Sequence, residues 1–391
     1  MALPLPDPSE QKYSDTLKVT IHEQIIRSGG WISFADYMET VLYTPGLGYY
    51  SGGTAKFGME GDFVTAPEIS PLFGETLARY AAHILKPVKQ GSILELGAGS
   101  GKLAVDLLRA LEQLDCLPQH YYILDLSADL QQRQRTTIEQ CIPHLASRVS
   151  WLSALPEQFE GLILANEVLD AMPVHLAVWQ NGSIAERGIT WRDQRLAWQD
   201  RLLTEGDELY NIAQQLPPAD LPSPHPYLSE ISLANRHFIR SLATLLQRGA
   251  ILLVDYGFGQ SEYYHPQRHQ GTLMCHYRHH THDDPFFLPG LQDITSHTDF
   301  SAVAQAALDS GLQLGGYTTQ AHFLINCGIT DLLARTPADQ MGNYLPLVSQ
   351  VQRLISPAEM GELFKVMALS KNIDSDTAAY GFIRGDLRRL L

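Results

Sequence analysis

The chain has 391 residues, of which 45% are hydrophobic and 18% charged, so it can bury a sizeable core and is not a disordered tail. At roughly 100–200 residues per domain, the length suits two or three domains, or one domain with large insertions. Lys and Arg total 28 against 43 Asp and Glu, a formal charge of −15 that speaks against general affinity for nucleic-acid phosphates or anionic lipid and is compatible with a cationic partner.

The first fifteen residues carry no apolar core of a signal peptide and no Arg-rich transit pattern. No stretch approaches the ~18 consecutive apolar residues of a membrane span, so no membrane insertion is expected. Residues 16–44 read as two amphipathic helices broken at Gly29-Gly30. Residues 45–71, rich in Gly, Pro and aromatic residues, read as irregular, and a helix is expected over 71–85. Next, short apolar runs alternate with helical patterns. Strands are predicted at 92–96, 121–126, 149–152, 161–165 and 250–255, and helices at 102–114, 128–140 and 231–246. Near-continuous apolar strands between helices predict an α/β fold, a parallel sheet covered on both faces.

Residues 174–203 break the rhythm. Polar and apolar residues alternate there around Asn181-Gly182 and Asp193-Gln194, which predicts antiparallel hairpins. Five prolines between Leu216 and Pro226 exclude helix and central strand. Residues 256–298 are rich in His, Pro and Gly and read as an irregular excursion. Residues 299–391 read as mostly helical, with closing strands near 313–319 and 380–384. The domain reading is an N-terminal helical and lid segment over 1–85, then a sheet domain over 86–391 with insertions at 174–228 and 256–298. The cysteines, Cys116, Cys141, Cys275 and Cys327, form no C-x-x-C pair. They suggest reduced thiols in a cytosol rather than a disulfide framework or zinc ribbon.

The chemistry centres on Glu95-Leu96-Gly97-Ala98-Gly99-Ser100-Gly101-Lys102, between a predicted strand and a predicted helix. A P-loop fails because its first Gly would fall at Leu96 and its Ser/Thr at Leu103. A G-x-G-x-x-G dinucleotide turn fails because its third Gly would fall at Lys102. What stands is an acid two residues before G-x-G-x-G, which resembles motif I of class I S-adenosylmethionine-dependent methyltransferases. An ordinary βα loop is the alternative. The resemblance implies a Rossmann-like methyltransferase sheet with S-adenosyl-L-methionine as cofactor. It implies a cofactor site of Glu95, Gly97, Gly99, Gly101 and Asp125, the last receiving the ribose hydroxyls.

A wider set of motifs occurs in order: Gly61-Asp62-Phe63-Val64-Thr65-Ala66-Pro67-Glu68-Ile69-Ser70, Asn166-Glu167-Val168-Leu169-Asp170-Ala171-Met172-Pro173-Val174, Asp255-Tyr256-Gly257, Gly271-Thr272-Leu273 and Asp293-Ile294-Thr295. The set resembles the MidA-like family. The resemblance covers residues 15–330 and, more loosely, the rest. Asp125 departs from it, since the family pattern has Glu there, and the shorter side chain puts bidentate ribose contact in question.

The resemblance implies methyl transfer to an arginine of a protein, with a subunit of respiratory complex I as the expected partner. It implies a site at Asp62 and Glu68, read as a cofactor-proximal lid, with Asp62 in a simple turn as the alternative. Asn166, Glu167 and Asp170 follow the fourth strand, where ligands gather at the carboxyl ends of parallel strands. They are the candidate catalytic set. A carboxylate such as Glu167 can orient a guanidinium bidentately; a first-turn acid of a following helix is the alternative. His276, His279, His280 and His282 lack the two-pair spacing of zinc modules, and methyl transfer needs no metal, so one or two substrate-facing histidines are expected there rather than a metal site. A bacterial cytoplasm is the expected location, with a processed mitochondrial protein as the alternative. Two other functions remain open: a methyltransferase of small molecules or other residues, and a non-catalytic assembly factor.

Overall fold

The structure is a computed structural model that describes residues 3–52, 65–220, 225–337 and 339–391. The chain forms two compact units. One comprises Lys56–Leu169, Phe238–Gly257 and Phe300–Leu391, and the other Met1–Ala55, Asp170–His237 and Phe258–Asp299.

The first unit is built on seven strands of an eight-stranded sheet, whose eighth is the short Thr298–Asp299 paired with the strand Leu246–Phe258. Its strands are β1 (Ser92–Leu96), β2 (Tyr121–Leu124), β3 (Val149–Leu152), β4 (Phe159–Asn166), β5 (Leu246–Phe258), β6 (Gln313–Thr319) and β7 (Phe364–Lys371). Their spatial order is β3-β2-β1-β4-β5-β7-β6. The strands β1 to β5 run parallel, and β7 enters antiparallel between β5 and β6. From β1 the chain steps outward to β2 and β3, then returns to the other side at β4. The switch point therefore lies between β1 and β4, where an open α/β sheet makes its ligand crevice. Every residue of β1 is buried, and Ile163, Leu164, Ile251, Leu252 and Leu253 have no exposed surface. Burial on both faces explains the unbroken apolar runs; truncating one of these leucines to Ala would cost about 2–5 kcal/mol.

Helix α1 (Pro71–Leu85) starts where its sequence dictates: Ser70 Oγ accepts from Leu72 N and Pro71 fills the first helical position. Helices α2 (Lys102–Gln113) and α3 (Ala128–Cys141) follow β1 and β2. Helix α4 (Leu233–Leu245) begins two residues later than predicted, because Ser232 Oγ caps the amide of Asn235 and residues 227–231 form a strand.

Two expectations are corrected here. The last sheet strand is Phe364–Lys371, in a region read as helical. Residues 380–382 form a 3₁₀ turn rather than a strand. Met367, Ala368 and Leu369 are strong helix formers, and here they are fully buried in a central strand, so tertiary burial overrode propensity.

The second unit pairs helices Pro8–Arg27 and Phe34–Tyr43 with a five-stranded antiparallel sheet. The two predicted hairpin turns form, with Asn181, Gly182, Asp193 and Gln194 all at positive φ, the geometry that matches strand twist in two-residue turns. The proline-rich stretch contains one 3₁₀ turn, Pro217–Asp220. The His-rich stretch is not irregular throughout. Met274–Tyr277 pairs antiparallel with both His280–His282 and Asp293–Thr295 in a small sheet. Among the described residues no helix is long and apolar enough to cross a membrane.

Candidate functional site

The register of the sheet fixes where the predicted residues meet. Leu96, the last residue of β1, is level with Leu124 of β2 and Ala165 of β4. The glycine turn therefore leaves β1 with Asp125 on one side and Asn166-Glu167 on the other. Gly97 N donates to Leu124 O at 3.0 Å, which ties the turn to the start of the β2 exit.

Gly97, Gly99 and Gly101 all have positive φ, at 65°, 53° and 83°. Of the three only Gly99 has an open face, since a Cβ built on it would meet no atom of the described residues within 4 Å. A Cβ on Gly101 would lie 3.1 Å from the Cα of Gln134, so Gly101 lets α3 approach the turn. The resulting surface is bare main chain above Gly99, bounded by the start of α2, whose N-cap is Gly101 itself. Lys102, the residue that mimics the end of a P-loop, is engaged in an ion pair with Asp106 one turn on.

Glu95 sits inside β1, 2% exposed, and its carboxylate accepts from Tyr121 OH at 2.7 Å. Burial pushes its pKa up to about 7 against the opposing pull of the tyrosine bond. Asp125 follows β2. Its Oδ1 accepts from Ser127 N at 2.9 Å and its Oδ2 from Gln134 Nε2 at 2.8 Å. Burial raises its pKa as well, partly offset by those two donors. The neighbouring Leu126 is 75% exposed, an apolar side chain beside an anchored carboxylate. Glu68 lies in a one-turn helix, Ala66–Ile69, and accepts from Ser100 Oγ, so its segment is tied to the glycine turn.

At the β4 exit, Glu167 adopts φ +54°, a left-handed conformation rare for a residue with a side chain. Its amide donates to Val254 O at 2.8 Å. Asp255, 1% exposed within β5, takes the next two amides on one oxygen, Val168 N at 3.2 Å and Leu169 N at 2.9 Å. Asn166 Nδ2 donates to Glu167 Oε1 at 3.2 Å. Strain of this kind persists only where surrounding bonds impose it, and it clusters at functional sites.

Glu68, Glu95, Gly97, Gly99, Gly101, Asp125, Asn166 and Glu167 thus belong to one unit. Asp170 belongs to the other, where its carbonyl accepts from Ser296 N at 3.0 Å. Asp62 lies outside the described residues. Gln134 carries bonds at this site that the sequence reading did not expect, and Asp255, expected to face the site, puts its carboxylate on the amides of Val168 and Leu169. Gln134 left a signal, since it interrupts the apolar stripe Leu130, Gln134, Ile138 of α3. Among the described residues no cluster of His, Cys, Asp or Glu is arranged to hold a metal ion.

Residues 74–318 match the family described as "Putative S-adenosyl-L-methionine-dependent methyltransferase". The chain belongs to that family. This methyltransferase is 48% identical to a COG1565 superfamily member from Burkholderia thailandensis, whose crystal structure, bound to S-adenosyl-homocysteine, superposes with a TM-score of 0.94 over all of both chains. It is 29% identical to the mouse protein arginine methyltransferase NDUFAF7, mitochondrial, over 88% of this chain and 82% of that protein. The Drosophila melanogaster homologue is 29% identical with the same coverage. Its fold is the Rossmann-like methyltransferase sheet that the glycine motif implied.

The methyltransferase's own geometry suits the nucleoside. The open face of Gly99 leaves room for a ligand against the main chain. Asp125 presents a carboxylate held by two donors, with lone pairs left for a diol.

Proposed function

We propose that this methyltransferase methylates a side-chain nitrogen of a protein, with arginine as the acceptor. The observation that carries the reading is Glu167, a carboxylate held at φ +54° beside the glycine turn by the backbone of β5 and the Asp255 clamp. Bound S-adenosylmethionine supplies an electrophilic methyl group on a sulfonium. The main chain of Gly97–Gly101 would carry it, Asp125 would receive the ribose hydroxyls, and Leu126 would cover the apolar purine. Glu95, Glu68 and Asn166 support that site from below and beside it.

The chain's part in the chemistry is placement. A guanidinium keeps its charge unless it is desolvated and paired. Glu167 would accept two of its N–H groups and draw positive charge toward them, leaving the opposite nitrogen richer in electron density. Holding reacting atoms near van der Waals contact supplies several kcal/mol of the barrier reduction. Asp170 would assist from its place four residues after Asn166, and Glu68 would belong to a cofactor-proximal segment. The arginine reading is supported by the mouse and fly relatives, and the complex I subunit as acceptor by the motif resemblance. The setting in this reading is a bacterial cytoplasm, and the 48% identity to a Burkholderia protein supports its bacterial part.

The test is a methylation assay with purified complex I subunits, followed by mass spectrometry of modified residues. Methylarginine formed by wild type and absent with Glu167→Ala supports the proposal. Modification of another residue or a small molecule favours the broader methyltransferase alternative. No turnover on any acceptor, despite cofactor binding, favours an assembly factor.

A further inference from the structure

Helix α3 is mostly solvent-facing and buries Leu130, Gln134 and Ile138 at four-residue spacing. The central position of that stripe would ordinarily be apolar. Gln134 is instead 0% exposed. A buried amide is costly unless all its groups are matched, and here they are. Its two amide protons go to Gly99 O at 3.1 Å and Asp125 Oδ2 at 2.8 Å, and its Oε1 accepts from Trp151 Nε1 at 2.9 Å. Indole can only donate, so the orientation of the amide is dictated by its partners. Trp151 is in turn covered by the guanidinium of Arg135, 4.0 Å from the ring centroid.

One side chain thus joins the exits of three adjacent strands: the turn after β1, the acid after β2, and Trp151 on β3. The glycine at 101 makes this possible. With its missing Cβ only 3.1 Å from Gln134 Cα, a larger residue at 101 would push α3 back by a few tenths of an ångström.

We propose that Gln134 is a positioning residue of the nucleoside site, acting through Asp125. The inference rests on the reading of Asp125 as the ribose anchor. The terminal torsion of an aspartate is soft and broad. With Ser127 N on one oxygen and Gln134 on the other, the carboxylate plane is fixed, and the lone pairs not used by the protein are aimed at one place. This also accounts for an aspartate standing where the family pattern has glutamate. The shorter acid is compensated by a neighbour that fixes its direction and holds the Gly99 carbonyl in register with it.

The experiment is titration calorimetry on the full chain with S-adenosyl-homocysteine and with its 2′,3′-dideoxy analogue. Gln134→Leu should weaken S-adenosyl-homocysteine binding about 10- to 100-fold, the range for losing a hydrogen bond to a charged group. For the dideoxy analogue, which has no diol for Asp125, the same substitution should change affinity by less than about two-fold. Equal penalties for both ligands would mean a merely structural role and overturn the proposal. So would unchanged binding of S-adenosyl-homocysteine.

Should Gln134→Leu fail to fold, Gln134→Glu keeps the size and the acceptor for Trp151. When protonated it can still donate to Asp125. Once ionised it repels Asp125, so its affinity should fall more steeply than that of wild type as pH rises from about 6 to 9, a range in which Glu95 beside Asp125 titrates in both proteins. A profile for Gln134→Glu parallel to that of wild type overturns the proposal. Absence of S-adenosyl-homocysteine binding by the wild-type chain overturns the site reading itself and this inference with it.

Discussion

Gly99→Ala separates the ligand surface from the fold. Gly99 has φ +53°, where an L-residue costs about 1–2 kcal/mol. The added methyl meets no atom of the described residues within 4 Å, so no packing penalty from them joins the backbone strain. Urea unfolding of the ligand-free variant should therefore show a loss of about 1–2 kcal/mol and an unchanged m value. The same methyl stands where the nucleoside is proposed to lie. Crowding a fitted contact by one methyl costs about 1–3 kcal/mol, so S-adenosyl-homocysteine affinity should fall about 5- to 150-fold in calorimetry. Gly101→Ala provides the contrast. Its Cβ would sit 3.1 Å from a main-chain carbon of α3, which cannot rotate aside. That variant should lose more stability than Gly99→Ala. If Gly99→Ala bound S-adenosyl-homocysteine like wild type, the open face would not be the ligand surface. If it lost more stability than Gly101→Ala, the assignment of open and closed faces would be wrong.

Glu167→Ala should keep S-adenosyl-homocysteine affinity within about two-fold and abolish turnover; lost affinity would make Glu167 a cofactor ligand instead. Glu167→Gly should relieve the φ +54° strain and raise stability by about 1 kcal/mol in urea while also abolishing turnover, and a drop in stability would refute stored strain. Asp255→Ala leaves one buried and one part-buried amide without their acceptor, a loss of about 2–4 kcal/mol, whereas Asp255→Asn retains an oxygen and should recover most of it. Equal losses for Ala and Asn would show that the amide bonds are not what Asp255 contributes.

Glu95 gives a pH prediction. Its pKa rises from an ordinary 4.5 to about 7 in the folded chain. The folded state then binds the proton more tightly than the unfolded one. Its contribution is fully present below pH 4.5 and is lost as pH rises through about 7. The full difference is about 3 kcal/mol. Glu95→Gln removes this titration, so the variant should gain on wild type by about that amount between acidic and slightly alkaline pH. Parallel stability profiles would refute it.

Much of this arrangement was readable in the residues, for physical reasons that also mark where reading stops. Strands β1 to β5 announced themselves because a parallel sheet covered on both faces needs unbroken apolar runs. The hairpins announced themselves because Asn181-Gly182 tolerates positive φ at both positions. Phe364–Lys371 did not, because a fully buried strand of Met, Ala and Leu carries no period to distinguish it from a buried helix. The small sheet around Cys275 was hidden by short strands among histidines and prolines, where alternation has no length to show itself.

The candidate site divides along the same line. Glycines and acids at strand ends are visible because the backbone demands them at fixed offsets from a strand. Gln134 and Asp255 are different, since their importance lies in which amides and carbonyls they reach. A glutamine on a helix looks solvent-facing until the stripe Leu130, Gln134, Ile138 is placed against the turn, and an aspartate in β5 looks like a ligand until its oxygen is found on Val168 N and Leu169 N. The residues proposed to touch the nucleoside and the acceptor were thus legible in one dimension. The residues that hold them in place are defined by contacts 35 and 87 positions apart along the chain, which only folding creates.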